Sequence, residues 1–192
     1  MSLRLSIETD FKGVQQSLAR LRADVAQQAT ARALNRTADI AKTAMSREIR
    51  EEFNLSKAKV DAKLSIRRAT FKAGRLGLEA VLSSRDPSGK RRAINIINFG
   101  ARQIKAGLSY KIKRSGGRQV KADAFIGNKG RTAFYRPTSK RLPIKPLQTI
   151  DVPQMFNTRR INAKVVALIR RRFPDIAQRE IAFYVARFNR PR

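Results

Sequence analysis

Residues 29–49 read ATARALNRTADIAKTAMSREI. Ala29, Leu34, Ala38, Ala41, Met45 and Ile49 recur at helical spacing, and no Gly or Pro occurs between Gly13 and Gly74. An uninterrupted apolar stripe at this period predicts one long helix or two abutting ones, and its alanines suit close packing against a sheet or another helix. Upstream, Leu3, Leu5 and Ile7 alternate as a short strand. Thr9 or Asp10 can then cap a helix whose apolar positions are Val14, Leu18, Leu21 and Val25.

Further along, the period changes. Residues 54–70 read as a helical fragment capped by Asn54 or Ser56, with Val60 and Leu64 on one face and Ser65–Thr70 turning extended. Leu76, Leu78, Ala80 and Leu82 then alternate as a strand that stops at Asp86-Pro87-Ser88-Gly89, and Leu108, Tyr110 and Ile112 make a second with a wet basic face. Ile94–Phe99 is apolar enough to be buried. Ala124–Ile126 and Ala133–Tyr135 are short strands joined by the tight turn Gly127-Asn128-Lys129-Gly130. Four prolines between Arg136 and Pro153 exclude a helix or central strand there and predict an extended surface segment. Ile161, Val165 and Ile169 form one helical stripe. After a break at Phe173-Pro174, where Pro174 fits the first position of a last helix, Ile176, Ile181, Tyr184, Val185 and Phe188 form another. The expectation is an α+β protein forming a single structural domain over 1–192. It has long N-terminal helices (1–75), a small, mostly antiparallel central sheet (76–136), a Pro-rich extended arm (137–157) and C-terminal helices (158–192).

Composition narrows the function. Lysine and arginine number 43 against 14 acidic residues, a formal charge of +29. Residues 87–192 hold 26 basic and 4 acidic groups, so the second half carries most of the excess. Such a field calls for a polyanion or an acidic protein surface nearby. The chain has no cysteine and no histidine, which removes disulfides, thiolate nucleophiles, the usual zinc ligands and the commonest general base. Its acidic residues form no ligand-spaced cluster, and no phosphate-cradling glycine motif occurs, so no enzyme, metal or cofactor is expected. The opening residues lack a signal-peptide core and no membrane-spanning run follows, which predicts a cytoplasmic protein until assembly.

Lys111, Lys113, Arg114, Arg118 and Lys121 flank the turn at Gly116-Gly117 and are candidates for contact with phosphate or an acidic partner, against the plainer reading of a solvated hairpin tip. Arg170, Arg171 and Arg172 are further candidates, although cations at a helix end are also favoured by its dipole. Phe125, Phe134 and Tyr135 could stack on bases, but short apolar strands favour core packing.

Arg141-Leu142-Pro143-Ile144-Lys145-Pro146-Leu147, followed by Val152-Pro153-Gln154-Met155-Phe156, resembles the most distinctive segment of the phage minor tail protein Z family, the tail completion proteins of lambda-like phages. Ala31–Ala38, Ile94–Gln103, Ala124–Ile126 and the arginine-rich last helix agree with it. The resemblance implies a non-enzymatic virion protein that finishes the tail near its head-proximal end or neck, for head–tail joining and placement of the genome end. It also implies a ring, commonly sixfold, with a tail terminator, tape-measure protein or head–tail connector as partners and non-specific contact with genomic DNA. Arg141, Leu142, Pro143, Ile144, Lys145, Pro153, Met155 and Phe156 are then the candidate arm for docking a subunit or partner. The rival from another class is a sequence-independent nucleic-acid-binding protein of ribosomal or chromatin-like type, for which the charge alone is enough.

Overall fold

The computed structural model describes residues 3–5, 23–72, 75–84 and 93–188. The helix expected over residues 9–22, the strand position Ile7 and the turn expected at Asp86–Gly89 lie outside them. The chain forms two compact units: residues 1–45, 64–84 and 159–192 in the first, and 46–63 and 85–158 in the second. The fold is mixed α+β, with a long helix on the N-terminal side, small antiparallel sheets and a long C-terminal helix.

The first unit holds most of helix α1 (Ala23–Glu52) and all of α4 (Arg159–Phe188). Its helices meet at Ala33 and Ala177, with Phe173, Ile176 and Ile181 packed around them. Short side chains at that crossing let the backbones approach, the close packing expected of this alanine-rich stretch, although Ala33 itself stands outside the stripe of Ala29, Ala38 and Ala41. Beside it, Glu180 is only 2% exposed, with Arg36 Nη1 2.6 Å from Oε1 and Arg32 Nε 2.8 Å from Oε2. The Arg32 contact is an ion pair rather than an aligned hydrogen bond.

Strand β1 (Leu3–Leu5) and β2 (Leu64–Arg67) flank β5 (Val81–Ser84) in one antiparallel sheet, and β3 (Thr70–Lys72) pairs with β4 (Arg75–Gly77) as a ribbon. The alternating run from Leu76 to Leu82 is therefore not one strand. Residues 78–80 change partners between two pairings, Leu78 is exposed, and Val81 and Leu82 are both buried. A central strand covered on both faces has no reason to alternate. Asn35 ties the helix to the strand region: its Nδ2 donates to the Ala69 carbonyl at 2.9 Å, and its Oδ1 accepts from the Ala69 N–H at 2.8 Å. Arg68 adds a two-pronged pair to Asp39 at 2.9 and 3.1 Å; that hydrogen bonding, then the carboxylate's charge, raises the guanidinium pKa.

Helix α4 runs through Pro174 without a break, so the expected pair of C-terminal helices is one helix, and Arg170–Arg172 lie in its middle, exposed. Proline there removes the bond to the Arg170 carbonyl at a cost of about 3 kcal/mol. Buried Ile161, Val165 and Ile169 before it, and Ala177 and Glu180 after it, give each half its own anchorage. A favourable helix-dipole contact at a C-terminus no longer accounts for the three arginines.

The second unit begins with the end of α1, where Ile49 and Phe53 are buried, and continues through α2 (Lys57–Asp61), with Val60 at 0% exposure. The apolar run Ile94–Phe99 forms a 3₁₀ turn (Ile96–Phe99) that buries Ile96 and Phe99. Two three-stranded antiparallel sheets follow: β6 (Arg102–Ile104), β7 (Gly107–Tyr110) and β8 (Gln119–Lys121), then β9 (Ala124–Gly127), β10 (Thr132–Tyr135) and β11 (Lys145–Pro146). The β9–β10 turn is the tight one expected, with Asn128 at φ 51° and Lys129 at φ 52°. Asn95 clamps β10 as Asn35 clamps Ala69: Oδ1 accepts from the Ala133 N–H and Nδ2 donates to its carbonyl, both at 2.9 Å.

The Pro-rich segment departs from the extended expectation at its end. Val152–Phe156 is a short helix, α3, opened by a reciprocal cap in which Asp151 accepts from Gln154 N–H and the Gln154 side chain accepts from Asp151 N–H. Pro153 sits in its first turn, where the missing N–H has no helical partner to lose. Val152, Met155 and Phe156 are buried at 1% exposure or less.

Candidate phosphate-facing surface

The cations expected around Gly116-Gly117 are built onto the second unit, and most find protein partners. After β7 the chain turns onto the end of α1: Asn54 N–H donates to the Ile112 carbonyl and Arg114 N–H to the Glu52 carbonyl, both at 2.8 Å. Arg114 Nε donates to the Arg50 carbonyl at 2.6 Å, and Lys113 Nζ lies 3.9 Å from Glu52. These contacts satisfy carbonyls that a helix end leaves open. Arg118 spreads its guanidinium over the Ser109 hydroxyl, the Ser109 carbonyl and the Gly100 carbonyl, each at 2.9 Å. The face of β7 expected to be wet thus has Ser109 buried beneath an arginine. Lys121 Nζ sits 5.2 Å over the Tyr135 ring. Lys111 is half-buried, its backbone N–H donating to the Phe99 carbonyl.

Arg170–Arg172 belong to the first unit and the loop cations to the second. Of the candidate arm, Arg141–Lys145 are exposed, Leu142 at 66%, but the segment is stitched down just beyond. Leu147 N–H donates to the Ala133 carbonyl, Ile96 N–H to the Leu147 carbonyl and Thr149 N–H to the Ile94 carbonyl. Met155 and Phe156 serve the core of the second unit, and with Pro153 they are helical rather than part of an extended arm.

Sequence reasoning passed over Lys105, Lys129, Arg131 and Arg136. The signal was available: residues 93–158 contain 13 lysines and arginines and only Asp123 and Asp151 as acids. Among the described residues, Lys113 with Glu52 is the one ion pair those cations make. Phe125 and Phe134 are half-buried and stack on each other at 6.0 Å, while the fully buried positions of that hairpin are Ala124 and Ala133. Arg136 covers the Phe125 ring at 4.4 Å. A surface of this kind can neutralise anions without reading shape or sequence finely. Among the described residues, no group of acidic side chains could hold a metal ion, and no helix is long and apolar enough to cross a membrane.

Two long helices, small antiparallel sheets and a large excess of cations define a basic α+β protein. A family model described as Prophage minor tail protein Z (GPZ) matches residues 11–190, and the chain belongs to that family. The match takes in every segment on which the resemblance was read. Membership makes a structural role in a phage tail, and a place in the virion, the ground on which its chemistry is read. Neither the curated proteins nor the solved structures gave a match.

Proposed function

We propose that the protein completes the phage tail at its head-proximal end, as a non-enzymatic subunit needed for head–tail joining and for placing the genome end. The observation that carries this reading beyond the family is the charge of residues 93–158, 13 basic against 2 acidic, with so little internal neutralisation. At low salt such a unit repels copies of itself, so assembly requires a polyanion or acidic neighbour to screen it. Genomic DNA in the tail passage answers that need, because contact with its phosphates requires charge and reach but no base recognition. A closed ring, sixfold by analogy with small neck proteins, would set these surfaces around the passage. The exposed Arg141–Lys145 segment is then the part free to meet a neighbouring subunit, the tail terminator, the tape-measure protein or the connector.

The test is to delete the gene and image the particles. Tails that assemble but fail to join heads, or joined particles that do not deliver DNA, are the expected result. Normal, infectious particles overturn the reading and favour a nucleic-acid-binding factor acting outside the virion.

A further inference from the structure

Between β6–β7 and the start of β9 lies a cleft of about 380 Å³, with Lys105, Asp123, Phe125, Arg136, Thr138 and Ser139 among its lining residues. We infer that this cleft holds a backbone phosphate of DNA, with Arg136 as the principal contact. The inference rests on the reading that the basic unit faces DNA, and it names the place where the contact is made.

The cleft has a built frame. The Gln103 side chain donates to the Gly107 carbonyl at 2.9 Å and accepts from Ile126 N–H at 3.0 Å, tying β6, β7 and β9 together. Gly107, at φ 121°, lets β7 come so close to the following turn that a Cβ there would lie 2.3 Å from the Lys121 carbonyl oxygen. Arg136 N–H donates to the Asp123 carbonyl at 3.0 Å, which closes the base of the hairpin.

Within this frame Arg136 is aimed in advance. Its guanidinium sits over the Phe125 ring, with Cζ 4.4 Å from the centroid, and Phe125 in turn stacks with Phe134. A guanidinium held by one face keeps its N–H edge for a ligand, and that edge fits phosphate oxygens in pairs. Lys105 adds a second cation, and the exposed Thr138 and Ser139 hydroxyls can donate to the remaining oxygens. Asp123, the carboxylate in the lining, leaves the cleft with one net positive charge, which matches a phosphodiester rather than a dianion. Lys129 and Arg131 at the hairpin tip, together with Lys140 and Arg141, extend the positive field beyond the cleft, as a polyanion rather than a single ion requires.

The experiment titrates the purified full-length chain against a fluorescent DNA duplex by anisotropy over a series of salt concentrations. Arg136→Gln is expected to weaken binding about eightfold at 0.1 M salt and to lower the salt slope by about one phosphate contact. Arg136→Lys keeps the slope, and Phe125→Leu weakens binding about two- to threefold with the slope unchanged, because it removes only the support of the guanidinium. A circular dichroism melt matching the wild type assures that each variant is folded. Equal affinity and slope for wild type and Arg136→Gln overturn the inference, as does a wild-type chain that does not bind the duplex; neither result touches the outcome of the gene deletion. Displacement of the duplex by polyglutamate at equal charge assigns the cleft to acidic protein instead. Displacement by inorganic phosphate alone at low concentration assigns it to the free ion.

Discussion

Glu180 offers a direct test of what holds α1 to α4. The carboxylate is buried, while the Arg32 and Arg36 side chains that reach it are 44% and 57% exposed. The two sides of the bridge therefore differ in what they lose when the other is removed. Truncating Arg32 and Arg36 together to alanine strands a buried carboxylate without a counter-charge, which costs about 3–5 kcal/mol. Arg32 also lies 4.9 Å over the Phe183 ring, and losing that contact adds about 0.5 kcal/mol. Replacing Glu180 with methionine removes the buried charge instead, and arginines already half in water complete their hydration, so stability stays within about 1 kcal/mol of the wild type. With a urea dependence of about 2 kcal/mol per molar, the double arginine variant should unfold about 2 M earlier and Glu180→Met less than about 0.5 M earlier. Equal shifts for the two would refute the reasoning, since they would mean that the attraction itself, and not the desolvation of one partner, dominates the seam.

Gly107→Ala should destabilise the second unit by about 2–4 kcal/mol, because the methyl meets the Lys121–Ala122 backbone and the positive φ is strained as well; a thermal melt reads it directly. Asn95→Ala removes both bonds to Ala133 and the one that caps the 3₁₀ turn, and a loss of about 2–3 kcal/mol should appear as faster amide exchange in β10. Asp151→Ala opens the cap of α3 and should cost about 1 kcal/mol by denaturant titration, with Asp151→Asn losing less. Pro174→Ala restores a helical bond in α4 and is expected to raise the melting temperature; a fall would show that the packing of the first unit depends on proline at that position.

Elements fixed by local period were legible in the sequence. The alanine stripe of α1, the burial of Ile96 and Phe99 within the apolar run Ile94–Phe99, the β9–β10 hairpin with its turn, and the Ile161, Val165, Ile169 stripe all stand where the sequence pattern put them. The errors share a cause, which is that partners distant in sequence overrode a local rule. Val81 and Leu82 break alternation because β5 is covered on both faces. Pro174 fails to end a helix because both halves are anchored, and Pro153 begins one because Asp151 and Gln154 cap each other across it. For the site, residue type was visible and pairing was not. Arg114 and Arg118 look like free cations in the sequence and are committed to carbonyls in the fold. Arg136 stands in the sequence at the start of the Pro-rich extended stretch and becomes, by its place over Phe125, a guanidinium held against a ring. Hydrophobic period carries no trace of such cross-strand neighbours.

The paired contacts of Asn35 with Ala69 and of Asn95 with Ala133 make the fold sensitive to a single atom at two places. Each side chain gives a proton on one side and takes one on the other, as a neighbouring strand would. Hydrolysis of either amide to the acid leaves volume and shape almost unchanged, yet sets a carboxylate oxygen against a peptide oxygen where the nitrogen stood. An asparagine-to-aspartate exchange at either position would therefore strain the fold through one atom while leaving its apolar packing untouched.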